Sequence, residues 1–436
     1  MIQSLQSIFK IPELRRKVLF TLLMLIIYRV GGHVPTPGVD GHALAQAFAQ
    51  ARGTLLGLYD MFVGGAFAKA SVFALGIMPY ISASIILQLL TAVIPYFEKL
   101  QKEGEEGRKK ITQYTRYGTV FLSVVQAYGI SIFLENFNMG GGVAVVPSPG
   151  LAFRLLTVLT LTSGTIFVMW LGERISERGI GNGISLIIFI GIVARNPNDL
   201  LQSIRALQTG ALGYAQAGML VVIMLLVTAA VIAITQGQRR IPVQYAKRII
   251  GRKVYGGQST HIPLRVNTAG VIPIIFAQSV IMFPGTIATF FRGSDLAQRL
   301  NEMFSPSSIV YNVVYGLVIV FFTYFYTAII FNPVDLADNM KKYGGFVPGI
   351  RPGQKTAEYI DRILTRITLP GAVFLALIAI LPSFLIQHFK APFYFGGTGL
   401  LIIVGVALDT LQQIESHLLM RHYDGFMKGS KLRGRR

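Results

Sequence analysis

The sequence predicts an all-α polytopic membrane protein with ten transmembrane helices. Three observations carry that prediction. Of 436 residues, 52% are hydrophobic and only 14% are charged, against roughly 25% charged in a soluble domain; the mean hydropathy is +0.56. Too little polar side chain is left to cover a soluble particle, and the apolar content excludes a disordered chain. Second, apolar runs long enough to cross a bilayer recur along the whole chain. Third, the cations are placed asymmetrically: with the N-terminus and every second loop on one side, 31 of the 40 Lys+Arg fall on that side. The positive-inside rule makes it the cytoplasm, with both termini there.

The ten runs lie at about 17–34, 71–95, 117–135, 153–171, 183–195, 216–235, 268–290, 309–331, 368–387 and 397–416. The fifth, ISLIIFIGIVA, is short. The N-terminal stretch MIQSLQSIFKIPELRRKVLF has a basic flank before its apolar run. No small-residue cleavage site follows, so it reads as an amphipathic cytoplasmic segment leading into span 1 and not as a removed signal. Five spans followed by five give the halves opposite orientation, the arrangement of an inverted repeat with a pathway between its members. The expected division is 1–195, 196–416 and a basic cytoplasmic tail, 417–436.

Residues 53–69, GTLLGLYDMFVGGAFAK, interrupt this regularity. They are glycine-rich, contain Asp60 and lie between spans 1 and 2. They are too short and broken to span, which leaves a re-entrant element or an external surface helix. Irregular backbone at membrane depth persists only inside protein or beside a water-filled cavity.

The chemistry that is missing narrows the function. Span interiors carry almost no carboxylate or histidine, the groups that ion-coupled transporters use; Glu135, Glu173 and Asp409 sit near span ends. The sequence has no HExxH, no GxxxxGK[ST] and no cysteine, which argues against a zinc protease, a P-loop nucleotide site, thiolate metal sites and disulfides. An enzyme is not expected and no cofactor is implied. A passive channel, a transporter for a small solute without internal charges, or a membrane scaffold remain.

Two cytoplasmic loops stand out. Loop 236–267 holds Arg239, Arg240, Lys247, Arg248, Arg252, Lys253 and Arg265 and no acid. It reads as a surface for an anionic partner (lipid headgroups, RNA or an acidic protein) or as an orientation signal alone. RRIPVQY and KVYGGQ within it predict a β-hairpin around Gly256–Gly257. Loop 332–367 mixes Asp335, Asp338, Glu358 and Asp361 with Lys341, Lys342, Arg351, Lys355, Arg362 and Arg366. At its centre, GGFVPGIRPG, Pro352 drives Arg351 out of helical backbone, placing a guanidinium on a stiff loop tip suited to a carboxylate or phosphate.

Seven stretches together resemble the SecY family, the channel-forming subunits of the bacterial Sec protein translocase. They are FALGIMPYISASIILQLL (73–90), KEGEEGRKKITQYTRYG (102–118), ERISERGIGNGISLIIF (173–189), QGQRRIPVQYAKR (236–248), STHIPLRVNTAGVIPIIF (259–276), FNPVDLADNMKKYGGFVPGIRPGQKT (331–356) and APFYFGGTGLLI (391–402), in family order and at family-like spacing.

The resemblance implies two inverted five-helix halves closing like a clamshell on an hourglass pore in the bacterial plasma membrane. Residues 55–69 match a re-entrant plug helix, with Leu58, Tyr59, Asp60, Met61, Phe62, Gly64, Gly65 and Phe67 as its members. Spans 2 and 3 would face spans 7 and 8 across a lateral gate marked by Gln88, Gln126 and Gln278. Ile77 and Ile81, like Ile184 and Ile188, share a helix face at i,i+4. On pattern alone they are ordinary packing residues; the resemblance makes them pore-ring members beside Ile275 and Ile402. The expected partners are SecE and SecG, the ATPase SecA, the ribosome through rRNA contacts, preprotein signal sequences, SecDF, YidC and anionic lipids. Docking is expected at Arg239, Arg240, Lys247, Arg248, Arg252, Lys253, Lys341, Lys342, Arg351 and Lys355.

Overall fold

The computed structural model describes residues 11–41, 44, 55–136, 145–245, 248–250, 253–255, 259–290, 299, 303–305, 308–389 and 397–429. Helix dominates, as a hydrocarbon environment demands of backbone that must satisfy its own hydrogen bonds. Seven helices among the described residues are long and apolar enough to cross a membrane, or eight if one bent pair counts as a span. The two other predicted spans fall on α1 (Pro12–Gly31) and α10 (Ile272–Phe290); α1 carries Glu13, Arg15, Arg16, Lys17 and Arg29.

The chain divides into two units. The first comprises 1–205, 279–308 and 402–436. Its described elements begin with α1, α2 (Leu55–Phe62), α3 (Met78–Val93), α4 (Pro95–Lys102), α5 (Glu105–Glu135), α6 (Leu151–Arg178), α7 (Gly183–Val193) and α8 (Asn196–Gln208). The α3–α4 pair is bent by 97°. Pro95 opens α4 and holds Ile94 extended, at φ −99° and ψ 118°, which no helix can continue through. Helix α5 packs on α3 and α6. The span-end carboxylates noted in the sequence tie α5 to α6 at both ends. Glu173 takes a bidentate bond from Arg116 at 2.9 and 2.8 Å. Glu135 accepts from Arg154 at 2.8 Å and from the Gly150 N–H at 2.9 Å.

Span 2 starts later than its apolar run. Residues 70–72 pair instead with 34–36: the Thr36 N–H donates to the Ala70 carbonyl at 2.7 Å and the Val72 N–H to the Val34 carbonyl at 2.9 Å. Helix begins only at Met78. The excursion that contains α2 is therefore closed at its base.

The GIGNG turn before α7 is held from three directions. Asn182 caps α7 by accepting from the Ile184 and Ser185 N–H groups. The Ile180 N–H donates to Thr21 Oγ1 at 3.0 Å and the Gly181 N–H to Gln413 Oε1 at 2.9 Å. A Cβ at Gly183 would stand 2.0 Å from the Gly172 carbonyl oxygen. Gly183→Ala is therefore expected to separate α6 from α7 and to destabilise the protein by about 1–3 kcal/mol, as overpacking does. A lowered melting midpoint in detergent checks it; an unchanged midpoint would mean the two helices part freely.

The second unit comprises 206–278 and 309–401. It contains α9 (Tyr214–Gln236), β1 (Gln238–Tyr245), β2 (Arg248–Ile250), β3 (Lys253–Tyr255), β4 (Ser259–Arg265) and the first part of α10, up to Gln278. After them come α11 (Ile309–Ile330), α12 (Pro333–Lys342), β5 (Gly345–Phe346) and α13 (Gln354–Phe389). The last helix, α14 (Gly397–Gly429), begins in this unit and continues in the first from Ile402. Helix α11 packs along α13. Helix α9 exposes apolar side chains nearly all round: only 6% of its most apolar stretch is buried.

The strands form a sheet of order β4-β1-β5, all antiparallel, with Ile241 opposite Ile262 and Gln244 opposite Phe346. This corrects the predicted hairpin. RRIPVQY pairs with the THIPLR strand, and KVY pairs with the RII of β2 in a separate two-stranded ribbon. The alternation explains the choice: Ile241, Val243 and Leu264 point to one face, where Met340, Val347 and Ile360 complete a core. Residues 256–258, the predicted turn, lie outside the described residues.

Candidate channel seal and cytoplasmic docking surface

The first candidate site is the closed-base excursion around α2. Its apolar side chains Phe62, Val63, Ala66 and Phe67 are buried, and α2 packs on α7. A short helix and a turn of this kind leave backbone groups open, and side chains of α1 satisfy two of them. From α1, Tyr28 Oη donates to the Val63 carbonyl at 3.3 Å and Arg29 Nη1 to the Gly64 carbonyl at 3.2 Å. Beyond the end of α7, Arg195 Nη1 stands 3.4 Å from Asp60 Oδ2. Asp60 Oδ1 accepts from the Ala68 N–H at 2.9 Å, so one carboxylate closes the turn and meets a cation. Burial pushes the Asp60 carboxyl up, while the Ala68 N–H and Arg195 pull it back.

The turn needs glycine. Gly64 and Gly65 have φ of +75° and +82°, a left-handed backbone that costs other residues. A Cβ on Gly64 would stand 2.8 Å from Gly191 Cα in α7, so the two backbones touch. The described part of 53–69 is seated against α1, α7 and the residues just before α3, Leu75 and Gly76, within the protein and not on its surface. Tyr59 Oη also donates to the Leu75 carbonyl at 3.2 Å. The side chains of Leu58 and Met61 lie outside the described residues.

The six isoleucines are placed as follows. Ile77, Ile81, Ile188, Ile275 and Ile402 are buried. Ile184 is half-buried, near the backbone of Gly172 in α6. Ile275 belongs to the second unit and the others to the first. Of the expected gate glutamines, Gln88 and Gln126 are half-buried on α3 and α5, and Gln278 is buried on α10.

The second candidate site is the three-stranded sheet with its helices α12 and α13. It joins the two loops that the sequence presented separately. Arg239 and Arg240 are exposed on β1, and Lys341, Lys342, Arg351 and Lys355 on the other loop. Lys355 Nζ pairs with Glu358 at 2.9 Å. Arg351 stands between Gly349 and Gly353, with φ of +81° and +101°. Its carbonyl accepts from Thr356 Oγ1 at 2.9 Å and the Ile350 N–H reaches the Val347 carbonyl at 3.1 Å. The tip is thus pinned from both sides. Lys247 and Arg252 lie outside the described residues, as do the side chains of Arg248 and Lys253. Because β5 pairs with β1, the chain between β4 and β5, which includes α10 and α11, must return to the sheet.

Sequence reasoning passed over Tyr28, Arg29, Gly191 and Arg195. The available signal was the small set of nine Lys/Arg assigned outside the membrane, to which Arg29 and Arg195 belong. Cations that oppose the positive-inside bias are candidates for a specific partner.

Comparison with known proteins follows the same lines. The SecY family model matches residues 71–411. The protein translocase subunit SecY of Escherichia coli K12 is 49% identical over 425 residues, covering 97% of this chain and 96% of the relative. That of Aquifex aeolicus is 46% identical over 429 residues, covering 98% and 100%. A solved protein-conducting channel aligns with a TM-score of 0.62 at 17% identity over 94% of this chain and 96% of its own. A second, from work on the plug domain that stabilises the closed SecY channel and maintains a membrane seal, aligns with the same TM-score and coverage at 18% identity. An idle yeast Ssh1 complex bound to the 80S ribosome aligns at 0.61 with 15% identity over 94% and 89%. These structures share the fold of this chain. Matched by the family model over most of its length and by relatives from end to end, the chain belongs to the SecY family.

Proposed function

We propose that this chain is the channel-forming subunit of a protein translocase, passing unfolded preproteins across the bacterial plasma membrane and releasing membrane helices sideways into lipid. The observation that carries the reading is the 49% identity to a translocase subunit over 97% of the chain. In this reading 55–69 is the plug, and Ile77, Ile81, Ile184, Ile188, Ile275 and Ile402 form an apolar constriction that holds back ions by excluding water. Gln88, Gln126 and Gln278 border the lateral gate between the two five-span halves. The chain has no catalytic role; an ATPase motor of the SecA type or a translating ribosome supplies the work, docking on the basic cytoplasmic sheet with Arg239, Arg240 and Arg351. That sheet, exposed and rich in cations, supports an anionic partner such as rRNA. The exposed apolar length of α9 supports small membrane partners of the SecE and SecG kind.

The test is reconstitution in proteoliposomes with such partners. Import of a preprotein that requires both ATP and the motor is the expected result. Counterflow of a small solute without preprotein import would replace this function with secondary transport.

A further inference from the structure

We infer that Arg29 and Arg195 are positioning residues that latch the plug shut, and that this polar latch, distinct from the isoleucine constriction, sets how strong a signal sequence must be to open the channel. The inference rests on the plug reading above.

The argument begins with the closed base. Pairing of 34–36 with 70–72 fixes both ends of the excursion, so α2 and its turn can leave their seat without disturbing spans 1 and 2. What resists departure must then be sought at the seat itself. Apolar burial there is unspecific, and a hydrated pore offers polar groups water in exchange. Among the described residues the directed contacts include Arg29 on the Gly64 carbonyl, Tyr28 on the Val63 carbonyl, Arg195 on Asp60 and, from α2 itself, Tyr59 on the Leu75 carbonyl. Arg29 and Tyr28, from α1, hold the turn at 63–64, and Arg195, just past α7, holds Asp60 in α2. Asp60 is 9% exposed and Arg195 24%, so neither charge is fully solvated and the loss of one strands the other. Gly191, one helical turn before Arg195, is the flat surface on which Gly64 rests. Helix α7 therefore supplies the seat and, just past its end, one half of the latch; α1 supplies the other half.

A latch of this kind predicts gain of function on cutting it. The chain contains no cysteine, so Ala66→Cys in the buried turn gives a unique reporter of unseating. With that reporter, Arg29→Gln and Arg195→Gln should each raise the rate of labelling by an outside, membrane-impermeant maleimide about ten-fold. That is the shift in opening equilibrium that accompanies loss of one charge-assisted hydrogen bond. Both should increase export of a defective-signal reporter while an intact preprotein is still imported, an outcome that misfolding does not produce. Arg195→Lys, which keeps the charge, should fall between parent and Arg195→Gln. Asp60→Asn combined with Arg195→Gln should label no faster than the faster single variant, because the two act as one pair.

Deletion of residues 60–67 serves as the reference. If the deletion raises resting ion conductance but Arg29→Gln and Arg195→Gln label and export like the parent, the latch is overturned and the plug reading survives. Additive effects in the Asp60–Arg195 double variant would overturn the pairing. If the deletion itself leaves conductance at the parental level, the plug reading fails first.

Discussion

Replacing Arg351 with glutamate is expected to abolish import driven by the ATPase motor while the protein stays folded and inserted. The side chain is exposed, and its backbone is fixed between two glycines in left-handed conformation, with Pro352 after it and the Thr356 hydroxyl on its carbonyl. A guanidinium held this way loses little freedom when it docks, so most of its bonding energy reaches the complex. A lost bond to a charged partner costs about 1.5–3 kcal/mol, and reversal adds repulsion from the same carboxylate or phosphate. Arg351→Lys should lie between, since an ammonium keeps the charge without the planar fork. Import into vesicles, measured beside the melting midpoint, decides the matter. Near-normal import by the glutamate variant would remove Arg351 from the docking surface.

The next largest effect is expected from Ile402→Asn. Ile402 is fully buried on α14, and an amide placed among apolar side chains costs about 1–3 kcal/mol unless it finds a partner. A hydrated open channel supplies that partner and the closed one does not. The substitution should therefore favour opening: resting conductance should rise about ten-fold, the change that 1.4 kcal/mol produces, and defective signals should pass. Single-channel recording beside reporter export tests both. A variant as tight and as selective as the parent would show that Ile402 does not line the constriction.

The sequence made the membrane class, the positions of the apolar runs and the family legible because each depends on summed hydropathy and long colinear motifs. Helix ends were less visible. Hydropathy marks where α5 and α13 enter an apolar phase, not where they begin; both start earlier, at Glu105 and Gln354, as solvated charged turns. The late start of α3 at Met78 was hidden because the pairing that delays it, Pro35 with Ser71, joins residues far apart in sequence. Strand partners in the basic loop failed for a related reason: KVY and THIPLR both offer alternation, and only the distant core of Met340, Val347 and Ile360 selects the second. Segment 53–69 stood out by its glycines and Asp60, yet the cations that meet it, Arg29 and Arg195, lie singly at or just past helix ends with no local pattern around them.

The three-stranded sheet also dictates an order of biosynthesis. Strands β1 and β4 are neighbours in sequence and can pair as soon as residue 265 is exposed. Gly345 and Phe346 can reach Gln244 and Tyr245 only after α10, the apolar helix α11 and α12 have been made and the chain has come back to the sheet. The third strand is thus a checkpoint in the assembly of a protein that other chains depend on for their own insertion. Until β5 is added, the edge of β1 and the apolar side chains of Ile241 and Val243 lack the cover that Val347, Met340 and Ile360 provide.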